Sequence, residues 1–312
     1  MKKICFVILH YVVVDDTIEC IESIFNNINY QNYNIVVVDN KSSNRSGIIL
    51  KDKYEKIDNV TIILNNENSG FAKGNNIGYR YAKTILKAEF IILINNDTII
   101  KQNDFIDKIC NIYNETKYYI LGPNIISMKN NLQQNPQISY GLDKKEIKKL
   151  IVFFRYTYLK EVLKEIIKRN SNNSIINILK VIKKRIKLNS VKSISNKWLQ
   201  FNLNHNLKQE NVKLHGSCLI FSPLFIKACD NALYSETFMY MEEDILYYIC
   251  WKNNYKTIYD PNIIIYHKED IATDEFFNSS FKKRKFCLKN SIKSAKILYK
   301  IMDDCTNKSA NV

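Results

Sequence analysis

Asn95 and Asp97 close a short apolar run, IILINND from Ile91 to Asp97, at a spacing suited to a hard cation and the phosphates it bridges. Carboxylate and amide oxygens are what such a cation takes, although an Asx cluster behind a strand equally suits a turn or a helix cap. A second cluster, Glu242, Glu243 and Asp244, opens a helical pattern. There the helix dipole favours the ionised carboxylate that a general base requires, and ordinary capping by acids would read the same way. The third candidate is ENSGFAKGNNIGYRYA, in which Gly70, Gly74 and Gly78 recur every four residues among Asn68, Asn75 and Asn76. Glycines so spaced share one helical face and let a neighbouring element or a ligand approach, while asparagines are costly inside a helix unless their amides are needed. His267 ends a later apolar run and, taken alone, reads as a core or surface histidine. Neither G-x-G-x-x-G nor a P-loop occurs, which removes the dinucleotide and nucleotide-triphosphate fingerprints.

These residues need elements to hold them. Ile4 to Leu9, Ile35 to Val38, Val60 to Leu64 and Phe90 to Ile94 read as buried strands. Thr17, Ile18, Ile21, Ile24 and Phe25 form a helical stripe behind the acidic pair Asp15 and Asp16, and a second helix is predicted over Lys73 to Lys87. Strand and helix alternating at this spacing imply βαβ units and a parallel sheet. The ends of four strands, at His10, Asp39, Asn65 and Asn95 with Asp97, then share one rim, where ligands bind in open parallel sheets. HGSCLIFSP reads as a further strand entered through Gly216, whose backbone can pass close to a ligand.

At 312 residues and 46% hydrophobic the chain can bury one large or two modest cores. Its eight cysteines, at 5, 20, 110, 218, 229, 250, 287 and 305, form no C-x-x-C pair, a pattern of a reduced, cytoplasmic setting without a zinc framework. The N-terminal MKKICFVILHYVVVDD fits a first strand better than a signal peptide, because no small-residue cleavage site follows it.

Taken together, VILHY, VVVDNKSSN, ENSGFAKGNNIGY and LINNDT, in this order and spacing, resemble the donor-binding half of a family 2 glycosyltransferase of the GT-A fold. The similarity is nearest to the rhamnosyltransferase-like bacterial enzymes of surface polysaccharide synthesis. FMYMEEDILYYICWKNNYKTIYDPNIIIYH resembles the acceptor-side motif of the same family. The resemblance covers roughly 4 to 128 and 214 to 268, and departs from the strict pattern where Asn95 replaces the first acid of the aspartate-x-aspartate motif. It implies an α/β, Rossmann-like, mostly parallel twisted sheet flanked by helices. It implies nucleotide-sugar contacts from His10, Tyr11, Asp39, Asn68, Gly70, Asn75, Asn76, Asn95, Asn96, Asp97 and Gly216. It further implies a divalent metal, Mn²⁺ or Mg²⁺, on Asp97 and His267, and a catalytic base at Glu243 or Asp244. Reading the family's acidic pair from Glu242 brings Leu246, Tyr255, Pro261 and His267 into register and favours Glu243; reading it from Glu243 favours Asp244. Ile249 and Asn254 stand where the family often has arginine and glycine.

The middle of the chain departs from that template. Leu142 to Lys213 holds 18 basic and 5 acidic residues, and so +13 of the chain's +15. Ile147, Leu150, Ile151, Phe154 and Tyr158 form one helical stripe, and Ile175, Ile178, Leu179 and Ile182 another, with a break at Asn170 to Ser174. A second basic stretch, Lys282 to Lys300, has eight basic residues and no acid. Such helices suit an anionic membrane surface or a solvated basic face; nucleic acid is the weaker option, since no binding motif accompanies the charge.

The expected organisation is a nucleotide-sugar-binding half at 1–128, a basic helical insertion at 129–213, an acceptor half at 214–274 and a basic helical tail at 275–312. The expected function is an inverting, metal-dependent transfer from a nucleoside-diphosphate sugar to a hydroxyl of a glycan or lipid-linked acceptor. The setting is cytoplasmic, open to peripheral attachment on the inner face of the plasma membrane. The rivals are an inactive, membrane-associated sugar-binding protein and a sugar nucleotidyltransferase. The latter needs a glycine-rich basic loop that HYVVVDD lacks.

Overall fold

The computed structural model describes residues 1–137, 143–169, 177, 204–269 and 279–309. The chain divides into two compact units. The first comprises Met1–Gly141, Leu203–Phe238 and Glu242–Ala272; the second comprises Leu142–Asn202, Met239–Met241 and Thr273–Val312.

The first unit is built on β1 (Ile4–His10), β2 (Tyr33–Asp39), β3 (Val60–Leu64) and β4 (Phe90–Asn95). Each is parallel to its neighbour in the order β3-β2-β1-β4. Their side chains alternate between two cores. Ile4, Phe6, Ile8, Ile35, Val37, Ile92 and Ile94 face one side of the sheet, and Cys5, Val7, Val36, Val38, Ile91 and Leu93 the other. Burial on both faces is why these strands read as continuous apolar runs. Each fully buried isoleucine or valine contributes about 1.5–3 kcal/mol.

Helices α1 (Val14–Asn27), α2 (Ser46–Tyr54) and α4 (Phe105–Thr116) supply Cys20, Ile21, Ile24, Leu50, Tyr54, Phe105 and Ile109 to the first core. Helix α3 (Gly70–Thr84) covers the other face, beginning three residues before the predicted Lys73. A β-carbon at Gly74 would lie 2.5 Å from Leu9 Cδ1, and one at Gly78 2.3 Å from Val7 Cγ1. These two glycines therefore bring the helix down onto β1.

Beyond β4 the sheet ceases to be parallel. Strand β8 (Cys218–Phe221) runs antiparallel to both β4 and β6 (Ile120–Ser127), and β9 (Thr257–His267) then lies parallel to β6. Two short strands, β5 (Thr98–Ile99) and β7 (Gln209–Glu210), pair antiparallel with β9. Helices α6 (Pro223–Ala228) and α7 (Glu242–Lys252) add Phe225, Ile226, Leu246 and Cys250 to the α3 face.

In the second unit, α5 (Lys144–Arg169) and α8 (Ser280–Ser309) lie side by side and antiparallel. Lys144 pairs with Asp303, Lys148 lies 5.3 Å over the Tyr299 ring, and Arg284 is 3.6 Å from Glu161. Within the expected stripe of α5, Ile147 and Leu150 are buried and Ile151, Phe154 and Tyr158 are partly so. The expected second stripe, from Ile175 to Ile182, and the break at Asn170 to Ser174 lie outside the described residues. Among the described residues no helix is long and apolar enough to cross a membrane.

Candidate active site at the strand-end rim

The carboxyl ends of the parallel strands do form one rim. Asn40 N–H donates to His10 O and Asn65 N–H to Asp39 O, both at 2.9 Å, so the loops leaving β1, β2 and β3 stay together as they turn. Past β4, the pairing of Thr98 with His267 sets Asp97 beside the end of β9, and Lys268 N–H donates to Asp97 O at 2.9 Å.

That register brings Asp97 Oδ1 to 3.2 Å from His267 Nε2. Both residues are buried, and Asp97 Oδ1 has no hydrogen-bond partner. His267 Nδ1 is 2.8 Å from Gln134 Oε1. The Gln134 amide is oriented by its own Nε2–H, which donates to Glu269 Oε1 at 2.7 Å. An amide oxygen only accepts, so His267 must donate from Nδ1, and Nε2 of the neutral ring keeps its lone pair. A lone pair therefore faces a carboxylate oxygen. Two buried acceptors at this distance call for a positive charge between them, a proton or a metal ion. Among the described residues no group of three or more His, Cys, Asp and Glu side chains is arranged around a common ion position. For a metal ion the pair would supply two ligands, and a bound ligand or water would have to supply the others. Gln134→Ala should weaken Mn²⁺ binding by about 10–100-fold, read by calorimetry, by freeing the ring to rotate.

His215 belongs to this cluster although its sequence carried no expectation. Its ring centroid is 5.8 Å from that of His267, and Nδ1 accepts from Ser217 N–H at 3.1 Å. Burial, helped by the neighbouring His267, lowers its pKa to about 4 and keeps it neutral. Its backbone N–H is held by Asn135 Oδ1.

The three acids at the start of α7 have separate environments. Glu243 Oε1 accepts Gly216 N–H at 3.1 Å, and a β-carbon at 216 would sit 2.5 Å from that oxygen, so only glycine allows the approach. Asp244 is held by Lys213 Nζ at 2.9 Å. Glu242 is 3% exposed with Oε1 lacking a partner; burial, then the charge of Glu243, raises its pKa to about 8. Burial also raises the pKa of Glu243. At Glu242 and Glu243 the dipole's preference for the ionised form is thus opposed by burial. A dipole contributes about 0.3–1 kcal/mol at an exposed terminus, and desolvation of a buried carboxylate exceeds it.

The expected nucleotide-sugar contacts divide in two. His10 is fully buried with both ring nitrogens engaged, Nδ1 with Thr17 Oγ1 and Nε2 with Ser46 Oγ, each at 2.7 Å, and burial lowers its pKa to about 4. Asn76 binds the Leu233 backbone through both ends of its amide, and Asn75 donates to Phe71 O. Asn96 donates to Thr17 Oγ1. These side chains hold the walls. Asp39 accepts from Ser42, and Asn40 joins the end of β2 to Asn68 Oδ1, Gly70 O and Ser69 N–H, an anchoring role that sequence reasoning missed. Gly70, at φ +79, starts α3 under Phe238 O, where a β-carbon would lie 2.2 Å away. Tyr11 is partly buried behind β1, and Asn95 is partly exposed at the tip of β4.

The family model described as Glycosyl transferase family 2 matches residues 5–158. The chain is 40% identical over 93 residues to the dTDP-rhamnosyl transferase RfbF of Shigella flexneri, covering 30% of this chain and 29% of that protein. It is 36% identical over 87 residues to the glycosyltransferase GlyG of Streptococcus pneumoniae serotype 4, covering 28% and 27%. The matched stretch spans less than a third of the length of either relative. Among solved structures, residues 1–349 of S. aureus TarS align over 94% of this chain and 71% of that one, at 12% identity and a TM-score of 0.50. The same protein in complex with UDP aligns over 89% and 66%, at 13% identity and a TM-score of 0.51. At such identity the likeness concerns the fold, a mixed sheet flanked by helices.

Proposed function

We propose that this chain, whose residues 5–158 match the model of glycosyl transferase family 2, moves a sugar from a nucleoside-diphosphate donor to a hydroxyl of a glycan or lipid-linked acceptor, with inversion, in surface polysaccharide synthesis. The observation that carries the reading is the unpartnered Asp97 Oδ1 facing His267 Nε2 at 3.2 Å on the rim. One relative named as a dTDP-rhamnosyl transferase and a structural neighbour in complex with UDP support a nucleotide-sugar donor.

In this reading residues 1–128 bind the donor and 214–274 serve the acceptor. Asp97 and His267 would hold a divalent cation, Mn²⁺ or Mg²⁺, which when bound neutralises the charge gathering on the departing diphosphate. Glu243, oriented by Gly216 N–H, accepts the proton of the acceptor hydroxyl as its oxygen attacks the anomeric carbon. Burial raises its pKa above the ordinary glutamate value, which makes its ionised form the stronger base. Asp39, Asn68, Gly70 and Asn95 line the donor side, and His10, Asn75, Asn76 and Asn96 brace it. A single displacement needs no covalent enzyme intermediate. The basic helical unit would bring the enzyme to the anionic membrane face where a lipid-linked acceptor resides.

Thermal unfolding in the presence of UDP-, dTDP- and GDP-sugars, with and without Mn²⁺, tests the donor class. A ligand at 100 times its dissociation constant stabilises by about 2.7 kcal/mol, so a true donor should be evident. Stabilisation without any transfer or hydrolysis would favour a sugar-binding protein instead.

A further inference from the structure

Helix α8 carries an unusual row. Lys282, Lys285, Lys289, Lys293, Lys296 and Lys300 succeed one another at spacings of three and four, and all six are exposed. At 100° per residue they fall within an arc of about 80°, and at 1.5 Å per residue they extend over about 27 Å. The buried positions of the helix, Asn290, Ser294, Ala295, Leu298 and Met302, lie on the opposite side. No acid occurs between Lys282 and Lys300. Among the described residues none of the six lysines forms an ion pair, whereas Arg284 on the same helix is paired with Glu161 and Lys144 on α5 with Asp303.

Solvation alone does not require such order. A solvated surface mixes both signs, because a straight row of like charges repels itself. A row of cations suits a plane of anions, and the partner unit α5 adds a feature that distinguishes a bilayer from a soluble polyanion. Val152, Leu159 and Ile166 are exposed at heptad spacing on α5, at 44%, 51% and 38%. A dissolved polyphosphate or nucleic acid offers nothing to aliphatic side chains of this kind, whereas the boundary between headgroups and acyl chains does.

We propose that the α5–α8 unit is a peripheral docking surface for an anionic phospholipid bilayer, with the six-lysine row of α8 as its electrostatic face. The assignment deepens the membrane setting of the proposed transferase. It is nonetheless tested without any donor, so failure of transfer and failure of docking are separate results.

The experiment is co-sedimentation of the full chain with vesicles of phosphatidylglycerol and phosphatidylcholine, and with vesicles of phosphatidylcholine alone. Binding is expected only to the anionic vesicles and should weaken as salt rises, since surface charge acts within a Debye length of about 8 Å at physiological salt. A cation near such a surface strengthens binding by about fivefold, so K289A/K293A/K296A should lose about 100-fold. The thermal unfolding midpoint of that variant should not move, and K289R/K293R/K296R should bind like the parent. Equal binding to neutral vesicles, or undiminished binding by the alanine variant, overturns the proposal. Failure to bind anionic vesicles together with tight binding of inorganic polyphosphate overturns it in favour of a soluble polyanion.

Discussion

Asp97→Ala should abolish Mn²⁺ binding and reduce transfer by about 10³-fold, the loss of several kcal/mol of charge stabilisation at the departing diphosphate. The fold should survive. Asp97 lies beyond the end of β4, whose packing rests on Phe90 to Ile94, and its Oδ1 has no hydrogen bond to lose. Removal of the carboxylate also relieves the confrontation with His267 Nε2, so the variant should unfold at the same urea concentration or a slightly higher one. Two measurements decide the matter: Mn²⁺ titration by calorimetry, and the initial rate with saturating metal. Undiminished Mn²⁺ affinity in the variant would show that the pair is held by a proton on His267 rather than by a metal ion.

Glu243→Gln should retain donor and metal binding yet lose transfer by about 10²–10⁴-fold, because the amide is nearly isosteric but takes no proton. Asp244→Asn, compared side by side in single-turnover transfer, should lose far less. Asp244 is engaged by Lys213 at 2.9 Å, whereas the Glu243 carboxyl is oriented by the Gly216 N–H and raised in pKa by burial. The sign of the pH dependence follows. The ionised form is the one that accepts a proton, and it is depleted as pH falls through the raised pKa. The acidic limb of the single-turnover rate should therefore lie above the ordinary glutamate value of about 4.3. A normal rate in Glu243→Gln with collapse in Asp244→Asn would reassign the base to Asp244.

Local pattern alone determined much of this protein. Strands buried on both faces must be apolar throughout, so Ile4–His10, Tyr33–Asp39, Val60–Leu64 and Phe90–Asn95 were legible to within two residues of their ends. Their alternation with helices implied a parallel sheet and a shared rim, and the rim exists because every β-strand in such a unit points the same way. The ordered motifs then supplied a family that no single motif could. The antiparallel insertion of β8 between β4 and β6 was not legible, because pairing partners distant in sequence leave no local periodicity. The same holds for the groups that tune the site. Gln134 sits 133 residues from His267, and Gly216 lies 27 from Glu243, so their roles arise only when the fold brings them within 3.1 Å or less. Asn76 carried a correct signal, an amide too costly for a helix interior without a partner, but the partner proved to be the Leu233 backbone rather than a ligand. The raised pKa of Glu242 and Glu243 was equally beyond the sequence. The helix dipole is a local property and argued for readily ionised carboxylates, whereas burial belongs to the tertiary structure, and it raises the pKa of Glu242 and Glu243.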